Sequence, residues 1–122
     1  MINVALYEPE IPPNTGNIIR LCANTGAALH LIKPLGFELE DRALRRAGLD
    51  YREFARIIVH ENYSTFLAER ADQRIFAFTT RATQNAFEVT FKQDDVLLFG
   101  PETRGLPLEV RDALPADQLL RI

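Results

Sequence analysis

Six short apolar runs, spaced by turn residues and helix-length segments, set the strongest constraint on how this 122-residue chain can fold. Ile2–Tyr7, Leu29–Ile32, Arg56–Val59, Ile75–Thr79, Val96–Phe99 and Leu119–Ile122 read as strands, and Val96–Phe99 is the clearest buried one. After the first strand, Glu8-Pro9-Glu10-Ile11-Pro12-Pro13 stops regular pairing, because its prolines lack the donor a ladder needs. Thr15–Thr25 then places Ile18, Leu21, Cys22 and Thr25 at i, i+3, i+4 and i+7, with Asn14 or Thr15 available as N-cap and Gly26 as the stop. Asp41–Ala47, Ser64–Arg70 capped by Ser64, and Leu106–Leu114 read as further helices, the last tolerating Pro107 in its first turn. Arg81–Asp95 has no clear period and reads as an irregular loop with one edge strand near Phe87–Phe91. Strands alternating with helices predict an α/β fold, a mostly parallel sheet with helices on both faces. The length fits a single domain over residues 1–122.

Several classes of function fall away on composition. The net charge of −3 argues against indiscriminate nucleic-acid binding, so any RNA must meet a local patch. Arg42, Arg45, Arg46, Arg52 and Arg56 are a candidate, although Glu40, Asp41, Asp50 and Glu53 interleave with them and favour a solvated, salt-bridged face. Cys22 is the single cysteine, so an internal disulfide is excluded, and without a Cys/His cluster at ligand spacing no metal site is expected. Met1–Glu10 does not resemble a secretory leader and no run approaches membrane-spanning length, so a cytoplasmic protein without a membrane partner is expected.

Ligands of parallel sheets sit beyond the carboxyl ends of the strands. Three loops of unusual composition fall there: Glu8–Gly16, Thr79–Gln84 and Gly100–Gly105. Neither the dinucleotide fingerprint nor the P-loop pattern is present, and no nucleophile elbow occurs. His30 and His60 lie in apolar strand contexts and read as structural. Asn17, Arg20 and Asn24 share one polar stripe of the first helix, which faces either a ligand or solvent. Gly100-Pro101-Glu102-Thr103-Arg104-Gly105 is either a stiff, ligand-holding loop or a plain strand-to-helix connection.

Asn14-Thr15-Gly16-Asn17-Ile18-Ile19-Arg20-Leu21-Cys22 and Leu98-Phe99-Gly100-Pro101-Glu102-Thr103-Arg104-Gly105-Leu106-Pro107, taken together, resemble the first two motifs of the SPOUT RNA 2′-O-methyltransferases. Leu6–Pro13 and Leu44–Tyr51 are similar to the TrmL (YibK-like) branch of that family, and the likeness runs along essentially the whole chain. The resemblance implies the SPOUT α/β-knot fold and methyl transfer from S-adenosylmethionine to the ribose 2′-hydroxyl of the wobble nucleotide, cytidine or modified uridine, of leucine tRNAs. It implies tRNA as partner and a homodimer. Asn17 and Arg20 then take catalytic positions, and Phe78, Thr79, Gly100, Glu102, Gly105 and Ile122 line the cofactor pocket. Arg45, Arg46 and Tyr51 are candidates for RNA contact, since unstacked bases lie on aromatic or guanidinium planes. The family's third motif is expected just after Ile122, so the knot helix is expected to be absent from these 122 residues. The alternatives are the same chemistry on another tRNA or rRNA position, or a catalytically silent RNA- or nucleotide-binding module.

Overall fold

The computed structural model describes residues 1–37 and 57–122. The expected helix Asp41–Ala47 and the residues Arg45, Arg46 and Tyr51 lie outside the described residues. Among the described ones, seven strands form one sheet, and every pairing is parallel. In chain order they are β1 (Asn3–Tyr7), β2 (Ala28–Ile32), β3 (Ile57–His60), β4 (Ile75–Phe78), β5 (Gln84–Asn85), β6 (Val96–Phe99) and β7 (Leu119–Arg121). Their order across the sheet is β3-β2-β1-β6-β4-β7-β5. The chain therefore winds outward from β1, crosses over, and later returns to insert β6 between β1 and β4. The α/β architecture expected from the alternating pattern is the one found.

Helices α1 (Pro12–Thr25), α2 (Tyr63–Ala68) and α3 (Leu108–Asp112) cover the two faces. Alternation along β1 decides which residues meet which helix. Leu6 packs with Ile19 and Cys22 of α1, whereas Ala5 and Tyr7 point the other way, to Phe66 of α2 and Val110 of α3. Phe66 is fully buried, which by area alone is worth about 2–3 kcal/mol. No described helix is long and apolar enough to cross a membrane.

The strand ends fall within a residue of the expectation, whereas three helices and the edge strand differ from it by more, for local reasons. α1 starts at Pro12 rather than Thr15, because a first turn wants no amide donors and proline has none. Thr15 is consequently inside the helix and bonds back to the Ile11 carbonyl at 3.2 Å; Ile11 is the N-cap and has no capping side chain. α2 is capped by Asn62, not Ser64: the Asn62 side chain accepts from the Thr65 amide at 2.8 Å. α3 is shorter than Leu106–Leu114, since a residue preceding proline is kept out of the helical region, which excludes Leu106 before Pro107 and Leu114 before Pro115. The edge strand is Gln84–Asn85 rather than Phe87–Phe91. There the Asn85 side chain accepts from the Phe87 amide at 2.8 Å and turns the chain into a 3₁₀ helix over Ala86–Glu88.

Candidate functional site

The carboxyl ends of β4, β6 and β7 frame a cleft of about 250 Å³ lined by Phe78, Thr79, Thr80, Phe99, Arg121 and Ile122. Its apolar wall follows from register: Phe78 and Phe99 are the last residues of neighbouring strands and align with each other. Their rings stack with centroids 4.7 Å apart and planes 11° from parallel. The turn beside them is held by the Thr79 amide, which donates to the Leu120 carbonyl at 2.9 Å, and by the Arg81 amide, which donates to the Thr79 hydroxyl at 3.2 Å.

Gly100 opens the loop that follows Phe99. A Cβ there would lie 2.5 Å from the Leu106 nitrogen and 2.7 Å from the Gly105 carbonyl carbon, so only glycine lets the loop fold back on itself. The Gly105 amide closes that turn on the Pro101 carbonyl at 2.9 Å, with Gly105 at a φ of 69°. Glu102 and Thr103 project from the loop toward the segment before α1. The Glu102 carboxylate accepts from the Glu10 amide at 2.8 Å and the Ile11 amide at 3.4 Å, which satisfies the donors of the N-cap residue and of the residue before it. In return, Glu10 accepts from the Thr103 amide at 2.9 Å and the Thr103 hydroxyl at 2.7 Å. Arg104 spans both acids, 3.3 Å from Glu8 and 3.5 Å from Glu10. The Thr103 amide and then its hydroxyl hold the Glu10 carboxyl below its usual range.

Two of the three loops singled out in the sequence, Glu8–Gly16 and Gly100–Gly105, are thus brought into direct contact. Phe78, Thr79 and Ile122 line the cleft, and Gly100 and Gly105 bound the loop beside it. The Glu102 side chain is committed to the backbone before α1 and does not line the cleft. Gly16 is buried, while Asn17 is exposed and Arg20 partly exposed on the polar stripe of α1. Arg20 is not among the residues lining the cleft. It stands eight residues beyond Pro12, roughly 12 Å along the helix axis. Thr80, Phe99 and Arg121 belong to the cleft but were not expected there. The usable signal was that Phe78 and Phe99 both end buried strands immediately before unusual loops.

His30 and His60 lie away from the cleft, bonded to each other at 2.9 Å in the core. Cys22 is buried, and burial raises its thiol pKa. Among the described residues, no group of three or more His, Cys, Asp or Glu is arranged to hold a metal ion.

The whole chain, residues 1–122, matches the model of the SpoU rRNA Methylase family. It is 58% identical, over all of its length and 78% of the relative's, to the tRNA (cytidine(34)-2′-O)-methyltransferase of Escherichia coli K12. A solved structure described as giving insight into 2-OH methylation of C/U34 on tRNA superposes with a TM-score of 0.91 at 45% identity, covering 100% of this chain and 79% of that one. An AdoMet-bound rRNA methyltransferase from Sinorhizobium meliloti superposes at 0.84 with 26% identity, covering 99% of this chain and 46% of that one.

Proposed function

The chain belongs to the SpoU rRNA Methylase family, and from that premise we propose that it methylates the ribose 2′-hydroxyl of nucleotide 34 of tRNA, using S-adenosylmethionine. The observation that carries this reading is the junction of the α1 entry with the Gly100–Gly105 loop beside the Phe78–Phe99 cleft. Relatives named for the same reaction at cytidine 34 support it. Leucine tRNAs bearing cytidine or a modified uridine at the wobble position are the proposed substrates, met by a homodimer in the cytoplasm.

The cleft suits the cofactor. Stacked phenylalanines offer an apolar wall for a base beside the turn that Gly100 opens. Phe78, Thr79, Gly100, Gly105 and Ile122 are proposed to hold it, with Glu102 acting on the shape of the loop. Bound there, S-adenosylmethionine supplies an electrophilic methyl group. The protein's contribution is chiefly placement, which can account for roughly 7–11 kcal/mol of barrier reduction. Backbone groups of a stiff loop need no rearrangement as charge shifts.

Asn17 and Arg20 are proposed to act on the RNA side. A guanidinium holds its proton too tightly to act as a base at neutral pH, so Arg20 does not deprotonate the hydroxyl. Its role is to fix the neighbouring phosphate and stabilise the oxygen as negative charge develops, the proton leaving late to phosphate or water. Arg45, Arg46 and Tyr51 are proposed RNA contacts.

Labelled methyl transfer into tRNA, mapped to position 34, tests the assignment; label appearing only at another position, or only in rRNA, would overturn it. Arg20→Lys keeps the charge but loses the bidentate fork. We expect its kcat to fall by roughly a hundredfold, equivalent to about 2.7 kcal/mol. Turnover close to that of the parent would rule out the geometric role.

A further inference from the structure

We propose that Glu10 is a positioning residue for methyl transfer, fixing the entry of α1 relative to the Gly100–Gly105 loop through Thr103. This rests on the methyltransferase reading above and adds a residue that neither motif contains.

Glu10 and the loop exchange bonds in both directions. Its amide donates to Glu102 at 2.8 Å while its carboxylate accepts from the Thr103 amide at 2.9 Å and hydroxyl at 2.7 Å. Both bonds from Thr103 end on one oxygen, Oε1. The turn at Gly36 packs on the same backbone. The Gly36 amide donates to the Pro9 carbonyl at 2.9 Å, and a Cβ at Gly36 would come within 2.9 Å of the Glu10 Cα. Glu10 is therefore gripped between two turns that come from distant parts of the chain.

Its place in the sequence makes the grip consequential. α1 begins two residues later and carries Asn17 and Arg20. The gripped loop begins at Gly100, on the side assigned to the cofactor. Two reactants held on two separate segments react at a rate set by how firmly those segments are held together. The accompanying Arg104 pairs are largely exposed and contribute little. The acceptor oxygen matters more than the charge, and glutamine, which keeps that oxygen, is expected to substitute.

The test compares parent, Glu10→Ala and Glu10→Gln in the full-length protein, by steady-state methylation of tRNA, thermal melting and amide exchange at Thr103. In Glu10→Ala, kcat is expected to fall roughly tenfold or more, with KM for tRNA changed less than about threefold. Its Thr103 amide is expected to exchange faster, while Glu10→Gln stays within about threefold of the parent in kcat. Parent-like kcat in Glu10→Ala overturns the proposal, as does unaltered exchange at Thr103. An equal kcat loss in both variants, matched by equal losses in melting temperature, also overturns it, because that marks a general structural defect. If the parent itself transfers no methyl to tRNA, the functional reading fails, and that result is distinct from a defect confined to the variants.

Discussion

The histidine pair shows how a polar group survives inside an apolar layer. His30 Nε2 lies 3.0 Å from Asn3 Oδ1, and its Nδ1 lies 2.9 Å from His60 Nε2 and 3.3 Å from the Arg70 guanidinium. Phe66 meets both rings edge-on, and Glu69 lies 3.8 Å from the outer nitrogen of His60. Burial first, then the Arg70 charge, then His60, push the His30 pKa from 6.5 down to about 4. His60 is lowered by burial and Arg70, against a smaller opposing pull from Glu69. With the folded pKa depressed, protons bind the unfolded chain more readily as pH falls below 6.5. The stability present above that value is therefore lost progressively down to about pH 4. His30 alone accounts for on the order of 3 kcal/mol of that loss. Chemical denaturation at pH 7, 5.5 and 4.5 should show the decline, and His30→Gln should flatten it. A variant that loses stability with acid as steeply as the parent would place the effect elsewhere. The sequence allowed both histidines to be read as structural, yet not that they bond to each other, because that depends on β2 and β3 lying side by side with Ile32 opposite His60.

At the scale of the element, the Gly100–Gly105 loop is held by two glycines for different reasons. Gly100 lacks room for a side chain, whereas Gly105 has open space around it but a φ of 69°. Gly100→Ala must displace backbone and is expected to cost roughly 3 kcal/mol or more and to abolish cofactor binding. Gly105→Ala meets only conformational strain, about 1–2 kcal/mol. Denaturant titration alongside calorimetry with S-adenosylmethionine separates the two, and equal costs would contradict this account. The loop was conspicuous in the sequence because six turn-forming or charged residues follow a fully apolar strand. Its partner loop, Glu8–Gly16, was conspicuous too, but Glu10 within it was not. Glu10 sits in a stretch that looks like a simple proline-rich stop, and its bonds to Thr103 join residues 93 apart in the chain. Helix boundaries differ from the expectation where a proline or asparagine acts two or three residues before the expected cap, as at Pro12 and Asn62. Long-range pairing and local capping are the two things that periodicity leaves unspecified.

For the whole molecule, the alternation of apolar runs was enough to predict a parallel α/β sheet, while the strand order came only from the structure. β1 lies between β2, its neighbour in sequence, and β6, with Asn3 aligned to Val96. So much non-local pairing predicts slow folding, in milliseconds to seconds, for the described fold. Stopped-flow refolding checks this, and a microsecond phase carrying the full amplitude would refute it. The same arrangement bears on how the protein is made. A ribosome adding roughly 5–20 residues per second leaves β1 waiting several seconds or more before β6 emerges. Throughout that interval the nascent chain presents an uncovered strand edge, a template for pairing with another copy. Demand for chaperones during synthesis is thus written into the place of the first strand.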